Sequence, residues 1–563
     1  MIAGTPTRHD RLRQLAQRMA PISLTALLAG SPIYAEDDGA KFGFQFWPGN
    51  LVVSRSVYDN NANNVLVGAT LPPNCANGCS TATNNGLYPQ VFNNALVDGS
   101  FGISSKIYLD QITPFGWLLN SLEVPNKTQK NAKDQLVTSF SSKSELGLHL
   151  STNGQYLTFM GYVSPIDAID VSNSNTPGAP DPTNPVTSSI FRAVAQVDRH
   201  GKVQFTETNA YSGNNGRAAI LSNTASANFF YTAGNAGNGS TPQPNGVILG
   251  AGAQVLSPST SPESAQTPGA PTPVGSFSVT ELGAKADKIG KDDNFRGITI
   301  FNNVLYYSKG SGGNGVNTVY FVDTTGKQCP NGIGVPAPGA TLPTTGLSYN
   351  PATLQTSGLP NNMCILQGFP STPNKSATTV AAPFGIWFAN ATTIYVADEG
   401  DGYAGGPDLY THAAAQKTAG LQKWVLNSST NTWTLAYTLQ TGLGLGQAYT
   451  VPGYPTGMNP ATVTKTNPVG LPWSPATDGL RNLTGRVFGN FVLLWATTST
   501  VSGSGDQGAD PNQLLVIADF LKNTDPAVGA KETFFPIRKA GFGEVLRGVS
   551  LTPGTGLSDE GEE

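Results

Sequence analysis

Residues 147–151 read Gly-Leu-His-Leu-Ser, and after a short turn residues 156–161 read Tyr-Leu-Thr-Phe-Met-Gly. The same phrase, two short apolar stretches separated by a turn, returns at 217–234, 296–310, 385–398 and 481–497. Short runs rich in β-branched and aromatic residues, joined by a turn, predict a β-hairpin. A hairpin that cannot bury its own apolar face must stack on further copies of itself, so the repetition predicts a repeat fold.

Each hairpin is followed by one or two further strand-like stretches. The hairpin at 147–163, for example, precedes Arg192-Ala-Val-Ala-Gln-Val-Asp and Val203-Gln-Phe-Thr-Glu-Thr. A repeated unit of about four antiparallel strands is a propeller blade, and five such units are complete or nearly complete. The outer strands that follow 217–234 and the fourth strand that follows 318–324 are only weakly marked.

The two ends of the chain supply a sixth blade. Residues 547–552 look like an inner strand with nothing after it, and 50–57, 107–112 and 117–124 look like three strands without an inner partner. Pairing them closes the ring and removes exposed strand edges. We therefore predict an all-β, six-bladed β-propeller, with seven blades as the structural alternative. The propeller domain is expected over 36–553, with long insertions at 58–106, 164–191, 327–380 and 441–477.

Residues 1–35 differ from the rest of the chain. Four arginines precede the apolar stretch Ile22-Ser-Leu-Thr-Ala-Leu-Leu-Ala, and small residues then lead to Ala35, which is the layout of a signal peptide. A disordered or membrane-anchoring segment is the alternative. The pattern predicts export to the periplasm or the exterior, and no later stretch is apolar enough to span a bilayer. At the other end, 554–563 is expected to be an acidic disordered tail.

Composition narrows the class of protein. Of the 563 residues only 12% are charged, while Gly numbers 65 and Pro 41, which indicates many turns and few amphipathic helices. Without 1–35 the chain keeps 28 basic and 35 acidic residues. A mildly acidic protein is poorly suited to nucleic acid or to anionic membrane surfaces, so we expect neither as a partner.

The four cysteines fall into two pairs. Cys75 and Cys79 lie close together in one loop, and Cys329 and Cys364 bracket another. In an exported protein this predicts two disulfides, 75–79 and 329–364. A zinc site built from all four is the alternative, although neither pair has the usual spacing of two intervening residues.

Arginine recurs at the start of the predicted inner strands, at Arg217, Arg296, Arg481 and Arg547. Inner strands line the channel of a propeller, so these guanidinium groups are expected at one mouth. There they could bind the carboxylate or phosphate of an anionic ligand. Alternatively they are structural, each pairing with the backbone of a neighbouring blade or with a nearby acid, because buried charges are normally paired.

Acidic residues cluster in two loops of neighbouring blades. These residues are Asp398, Glu399, Asp401, Asp506 and Asp510. Carboxylates separated by glycines suit calcium, which takes about six to eight oxygen ligands. The spacing does not match an EF-hand, and turns in solvated loops are the alternative.

Catalytic residues are weakly indicated. There is no Gly-x-Ser-x-Gly motif, and no free thiol is expected, which argues against serine and cysteine hydrolases. An enzyme needs a general base near the channel, and Glu145 and Asp293 are the candidates that can be placed there. Among the aromatic residues, Trp473 is expected as an exposed platform for a sugar.

Several phrases resemble a known family. Pro48-Gly-Asn-Leu-Val-Val, Asn153-Gly-Gln-Tyr-Leu-Thr-Phe-Met-Gly-Tyr, Ile394-Tyr-Val-Ala-Asp and Gly420-Leu-Gln-Lys-Trp resemble exported bacterial β-propeller proteins of unknown function. The resemblance covers most of 42–553; it implies export and a propeller, and it carries no catalytic residues. More distantly, the blades look like NHL-type and gluconolactonase-type six-bladed propellers. Such lactonases hold a divalent metal with Glu, Asn and Asp, where this sequence offers mainly arginine.

Two functions are therefore weighed. The first is a non-catalytic binding propeller whose loop-rich face and channel mouth hold an anionic or carbohydrate ligand, or a cell-surface macromolecule. The second is a calcium-dependent hydrolase or lyase that acts on an anionic or carbohydrate substrate. A purely structural surface protein is a third, weaker alternative.

Overall fold

The computed structural model of the protein describes residues 43–61, 63–66, 68–71, 80–81, 103–126, 135–177, 186, 188–224, 228–235, 252–258, 276–277, 294–310, 316–329, 331–344, 363–372, 380–403, 406–458, 470–504 and 507–556. Phe44–Glu563 forms one compact unit, and Met1–Gly43 is a second. The predicted signal peptide, 1–35, lies outside the described residues.

The described residues form six antiparallel sheets of four or five strands, which are the blades of a β-propeller. Within each sheet the strand that comes first contacts the first strand of the next sheet, so these strands line the centre. The six-bladed prediction is confirmed. The repeated apolar hairpins are the reason, because each blade buries both of its faces between its neighbours.

Blades 1 to 3 follow one another along the chain. Blade 1 contains His149–Leu150, Tyr156–Tyr162, Arg192–Asp198 and Val203–Thr208. Blade 2 contains Gly216–Ser222, Phe229–Gly234, Ala253–Leu256 and Ser276–Phe277. Blade 3 contains Phe295–Phe301, Val304–Lys309, Thr318–Val322, Met363–Leu366 and the short parallel strand Ile333–Gly334.

Blades 4 to 6 complete the circle. Blade 4 contains Pro383–Asn390, Thr393–Asp398, Gly420–Asn427 and Thr432–Leu439. Blade 5 contains Ala476–Phe488, Phe491–Val501, Gln513–Phe520 and Phe535–Lys539. Blade 6 contains Glu544–Leu551, Leu51–Val57, Ser104–Ile112 and Leu118–Glu123. One C-terminal strand thus pairs with three N-terminal strands, and the predicted closure of the ring is confirmed.

Elements outside the blades are short. They are the strands Thr70–Leu71 and Ser80–Thr81, the 3₁₀ turn Val171–Asn173, and the helices α1 (Leu409–Ala414) and α2 (Pro526–Gly529). The two-residue strand Thr138–Ser139 pairs with the start of Ser104–Ile112 and is the fifth strand of blade 6. Within the part of the chain that the structure describes, no helix has the length and apolar character needed to cross a membrane.

Two of the predicted segment boundaries need adjustment. The stretch 327–380 was expected as an insertion, but it contains Met363–Leu366, which is the fourth strand of blade 3. The tail was expected to be disordered from 554, yet Thr555 is buried and its hydroxyl accepts a hydrogen bond from Gly49 N at 2.9 Å. The backbone therefore stays packed against blade 6 up to residue 556, and the more acidic part of the tail lies outside the described residues.

The core consists of apolar clusters between successive blades. Met160 and Phe230 pack between blades 1 and 2, and Tyr395 and Leu494 between blades 4 and 5. Inner strands approach one another closely, and glycine permits this. A Cβ at Gly297 would overlap the carbonyl oxygen of Phe384 in the next blade. Glycine at 297 is therefore required by the close approach of the neighbouring inner strand.

Disulfide Cys329–Cys364 is present, with Cα atoms 5.7 Å apart, and it joins two segments at the outer edge of blade 3. The predicted pair Cys75–Cys79 lies outside the described residues. Asp323 lies near the Cys329–Cys364 disulfide, and its carboxylate accepts hydrogen bonds from the backbone of Thr325 and Gln328 at 2.8 Å. Because both sulfurs are used in the disulfide, these three residues are not a metal site.

Candidate functional site at the channel mouth

One segment of chain, residues 139–146, crosses the mouth of the channel between blades 6 and 1, and we call it the crossing segment. Its Phe140 carbonyl accepts a hydrogen bond from Arg547 of blade 6. Ser142 Oγ accepts from Asn215 Nδ2 beside blade 2 at 2.7 Å, and Ser144 Oγ accepts from Arg296 Nη1 of blade 3 at 2.5 Å. The segment therefore contacts the inner edges of blades on opposite sides of the ring.

Blade 5 approaches the same segment through a glycine. A Cβ at Gly508 would overlap the carbonyl oxygen of Ser141, so only glycine allows the two backbones to lie this close. Arg547 ties both together, because its Nη2 donates to Gly508 O at 2.9 Å as well as to Phe140 O. The crossing segment is thus fixed to the body of the propeller by backbone contacts.

The four predicted arginines all lie at this mouth and all are buried. Arg217 Nη1 donates to the carbonyl oxygen of Phe295 at 2.7 Å and to Asn294 Oδ1, both in the next blade. Arg547 also donates to backbone carbonyls, as described above. For these two residues the observed contacts match the structural alternative, in which arginine satisfies the backbone of neighbouring segments.

Arg296 and Arg481 have a different environment, since both face the carboxylate of Glu399. Arg481 Nε lies 3.2 Å from Glu399 Oε2, and Arg296 Nε lies 3.7 Å from Glu399 Oε1. A third cation is Lys143 of the crossing segment, whose Nζ lies 3.8 Å from Glu399 Oε2. Three cations from three parts of the chain therefore surround one carboxylate, and we call these four residues the charge cluster.

Within the charge cluster, the pKa values of Glu399 and Lys143 are both shifted from their ordinary values. Burial alone would raise the pKa of Glu399, but the charges of Lys143, Arg296 and Arg481 outweigh it and lower the pKa to about 2. Burial lowers the pKa of Lys143 to about 8; Glu399 opposes this shift, and the neighbouring arginines add to it. Glu399 is therefore charged at neutral pH, while a fraction of Lys143 is neutral.

Two further carboxyl groups beside the cluster are perturbed in the opposite direction. Burial, with the charge of Asp401 as the next cause, raises the pKa of Asp478 to about 7. Burial likewise raises the pKa of Asp398 to about 7. Asp478 interacts electrostatically with both Lys143 and Glu399. The net charge of the mouth therefore becomes more positive as pH falls through neutrality.

The acids predicted to bind calcium do not share one site. Asp398 accepts from Ala382 N and Gln422 Nε2, each at 2.9 Å. Glu399 faces the three cations. Asp401 Oδ2 lies 2.8 Å from His412 Nε2 on α1.

Asp510, the next of these acids, accepts from Tyr454 OH at 2.5 Å and from Ser502 Oγ at 2.9 Å. Asp506 lies outside the described residues. Among the described residues, only Asp323, Cys329 and Cys364 bring three ligand atoms of metal-binding type within 4.8 Å. Each described carboxylate of the predicted set therefore has its own protein partners, and none of these sets resembles a calcium cage.

Glu145, a candidate general base, is fully buried at the end of the crossing segment. It accepts hydrogen bonds from Thr138 Oγ1 at 2.7 Å, from Ser139 N at 2.9 Å and from Tyr162 OH at 2.5 Å. These contacts anchor the segment to blade 1. The other candidate, Asp293, lies outside the described residues.

The prediction of an exposed aromatic platform at Trp473 is wrong, because this side chain is 2% exposed and packs in a cluster with Phe140 and Tyr454. Pro472 and Pro475, on either side of this residue, are typical of a surface loop. In the structure the Trp473 side chain packs instead against the cluster that contains Phe140 of the crossing segment.

The residue that sequence reasoning missed is Lys143. Its only signal is the polar run Ser141-Ser-Lys-Ser-Glu placed directly before an inner strand.

Comparison with known proteins adds little to this geometry. No protein-family model matches the chain, and no curated protein matches it. Among solved structures, an alpha-L-arabinanase of Penicillium chrysogenum, complexed with arabinobiose, is similar over 84% of this chain and 98% of its own. The identity is 10% and the TM-score is 0.32. The description of the fold therefore rests on the six sheets themselves.

Proposed function

We propose that this chain is an exported binding propeller that holds an anionic ligand at the channel mouth. The observation that carries the proposal is the charge cluster, in which Lys143, Arg296 and Arg481 share one carboxylate, Glu399. Asp478 also interacts electrostatically with Lys143 and Glu399, and because its pKa is about 7, about half of it is charged at neutral pH. Cations that are largely removed from water and gather around one carboxylate favour the approach of a further anion.

The ligand class follows from the donors. A guanidinium presents paired N–H groups that match the oxygens of a carboxylate, phosphate or sulfate. If the ligand is a carbohydrate, we expect a uronic acid, because it combines a carboxylate with a sugar ring. A neutral sugar offers hydroxyl groups to the charge cluster but no negative charge.

The test uses residues 36–563, the chain without the predicted signal peptide, which we call the mature chain. It is titrated with sulfate, citrate, galacturonate and galactose, and binding is followed by thermal shift and by calorimetry. A ligand that binds only the folded state raises the melting temperature. We expect the anions to raise it and galactose to have no effect. Arg481→Gln should weaken anion binding about tenfold or more, which corresponds to about 1.4 kcal/mol.

The matched control is Lys106→Gln. Lys106 forms an ion pair with Glu123 at 3.1 Å, and both side chains are more than a third exposed. This substitution removes one positive charge from an exposed ion pair that is not part of the charge cluster, so binding should not change. If no anion binds, or if Arg481→Gln and Lys106→Gln bind anions equally well, the proposal is refuted.

A further inference from the structure

Lys143 differs from every other residue of the crossing segment. Residues 139–142 and 144–146 are buried, whereas the Lys143 side chain is 27% exposed. Its position is fixed by its buried neighbours, because Ser142 and Ser144 are hydrogen-bonded to Asn215 and Arg296. The segment therefore holds one amine at the channel mouth where a solute can reach it.

Gly402 lies beside this amine with a φ of +66°, a backbone conformation that is costly for residues with a side chain. A Cβ placed on Gly402 would lie 3.5 Å from Lys143 Nζ and 3.3 Å from Gln507 Oε1, in contact with both. Glycine at this position therefore leaves the amine uncovered by a side chain of residue 402.

Burial favours the neutral, nucleophilic form of Lys143. It lowers the pKa of the amine, and the charges of Arg296 and Arg481 lower it further, whereas the charges of Glu399 and Asp478 raise it. A lysine beside other cations is a recurrent way to obtain a neutral amine near physiological pH, and such amines attack carbonyl carbons. Glu399 remains charged and holds the two guanidinium groups in place.

We propose that Lys143 is a reactive amine that forms an imine with small anionic carbonyl compounds, above all 2-oxo acids, whose carboxylate is held by Arg481 and Arg296. This inference rests on the proposed anion site and names its ligand class. Arg481 Nε and Lys143 Nζ lie 3.2 Å and 3.8 Å from the same oxygen, Glu399 Oε2. The two nitrogens therefore lie near each other around Glu399, and a ligand carboxylate that accepts from another N–H group of Arg481 would bring its adjoining carbonyl carbon towards Lys143.

The step balances without any further reactant. The unprotonated Nζ attacks the carbonyl carbon, a C–N bond forms, and the π electrons of the carbonyl move to its oxygen. The two protons of the amine leave with that oxygen as water, and a C=N bond remains. Asp478, whose pKa is about 7, is the nearby group suited to give and take the proton that moves between nitrogen and oxygen.

The experiment uses pyruvate with sodium cyanoborohydride at pH 8 on the mature chain, followed by peptide mass mapping of every lysine. The hydride reduces the imine to a stable secondary amine. We expect the carboxyethyl adduct to form at Lys143 about tenfold faster than at the exposed Lys106. Acetone, which has the carbonyl but no charge, should show a smaller preference for Lys143 over Lys106 than pyruvate does. Sulfate should compete with pyruvate.

Variants separate the two proposals. Lys143→Arg removes the nucleophile and must abolish the adduct at 143, whereas Lys106→Arg must leave it unchanged. Arg481→Gln should slow labelling by pyruvate more than labelling by acetone. A sulfate-induced thermal shift, measured on the same preparation, tests the anion site independently.

If sulfate binds but Lys143 is labelled no faster than Lys106, the imine proposal is overturned and the anion site stands. If pyruvate and acetone label Lys143 equally fast, the amine is reactive but no anion site guides the reaction, and the proposal of a 2-oxo acid ligand is again overturned. If sulfate does not bind and Lys143 is not labelled, both proposals fail.

Discussion

Arg55 and Glu544 join the two ends of the propeller: Arg55 Nη1 lies 2.5 Å from Glu544 Oε1, although 489 residues separate them. Both residues lie in blade 6, where the strand Leu51–Val57 pairs with Glu544–Leu551. Arg55 also contacts the buried Asp110 at 2.8 Å, and Arg538 of blade 5 reaches the same carboxylate at 2.7 Å. The closure of the ring therefore depends on a charge network as well as on backbone pairing.

Replacement of Arg55 by Gln should weaken this closure. Asp110 is fully buried and would keep only Arg538 as a charged partner, so we expect the free energy of unfolding to fall by about 2 kcal/mol. The measurement is reversible urea unfolding followed by tryptophan fluorescence. Lys106→Gln, in an exposed ion pair of the same blade, should change stability by less than about 1 kcal/mol. Equal effects of the two substitutions would contradict the argument.

A second buried ion pair joins blades 4 and 5. Lys423 Nζ lies 2.8 Å from Asp519 Oδ2, and neither side chain is exposed. Lys423→Met would leave the carboxylate without its cation, and we expect a loss of about 3–5 kcal/mol. The double variant Lys423→Met with Asp519→Asn should recover part of this loss in the same unfolding experiment. If the double variant is less stable than the single one, uncompensated charge is not the cause.

The propeller could be predicted from the sequence because its signal is local and repeated. Each blade begins with the same hairpin, and the segments that complete blade 6 were recognisable as strands without partners. The fourth strand of blade 3, Met363–Leu366, escaped prediction because it is short and follows a Pro- and Gly-rich stretch. The turn-rich composition of the surrounding stretch predicted a loop. The four apolar residues form a strand because they pair with the neighbouring strand Thr318–Val322.

The charge cluster could be predicted only in part. The inner-strand arginines were found because they recur at one place in the repeat. Glu399 was found, but as a metal ligand, because neighbouring acids in sequence suggested a shared cation. In the structure the side chains of Asp398 and Glu399 have separate partners. Lys143 was missed because no equivalent lysine recurs in the other repeats and it belongs to no periodic pattern. Its position depends on the crossing segment, which lies between blades 6 and 1.

The disulfide Cys329–Cys364 should contribute to stability in the oxidised protein. It joins residues 35 apart in sequence, and a loop of that length corresponds to roughly 3–4 kcal/mol in the chain-entropy account. We expect the pair Cys329→Ser and Cys364→Ser to lower the free energy of unfolding by about this amount. Peptide mapping without reduction should recover the 329–364 link and, as the sequence predicts, a 75–79 link. Free thiols at 75 and 79 would refute that second pairing.

Calcium provides a test of the alternative function, the calcium-dependent hydrolase or lyase. Because Asp398, Asp401 and Asp510 accept hydrogen bonds from separate protein partners, we expect neither calcium nor a chelator to move the melting temperature. The measurement is differential scanning calorimetry of the mature chain with calcium or with chelator. A clear calcium-dependent rise that is lost in Asp401→Asn would revive the metal site.

The affinity for anions should fall as pH rises from about 6 to about 9. Burial raises the pKa of Asp478 to about 7, so below this pH the group is neutral and above it a negative charge opposes the ligand. The pKa of Lys143 is lowered to about 8, so above that pH one positive charge is lost. Both titrations act in the same direction. We expect the affinity for sulfate, measured by calorimetry at constant ionic strength, to fall about tenfold or more over this range.

Asp478→Asn separates the two titrating groups. The amide keeps an oxygen that can accept the hydrogen bond from Gly402 N, now at 3.3 Å, but it carries no charge at any pH. The variant should therefore bind sulfate more tightly than the wild type at pH 8 and equally at pH 5.5. Its remaining pH dependence should come from Lys143 and be centred below the wild-type value of about 8, because the charge of Asp478 helps to raise the pKa of Lys143. As the control, Asp525→Asn removes the same charge from an exposed residue at the start of α2 and should reproduce the wild-type curve. Superimposable curves for the wild type and Asp478→Asn would show that Asp478 does not control the site.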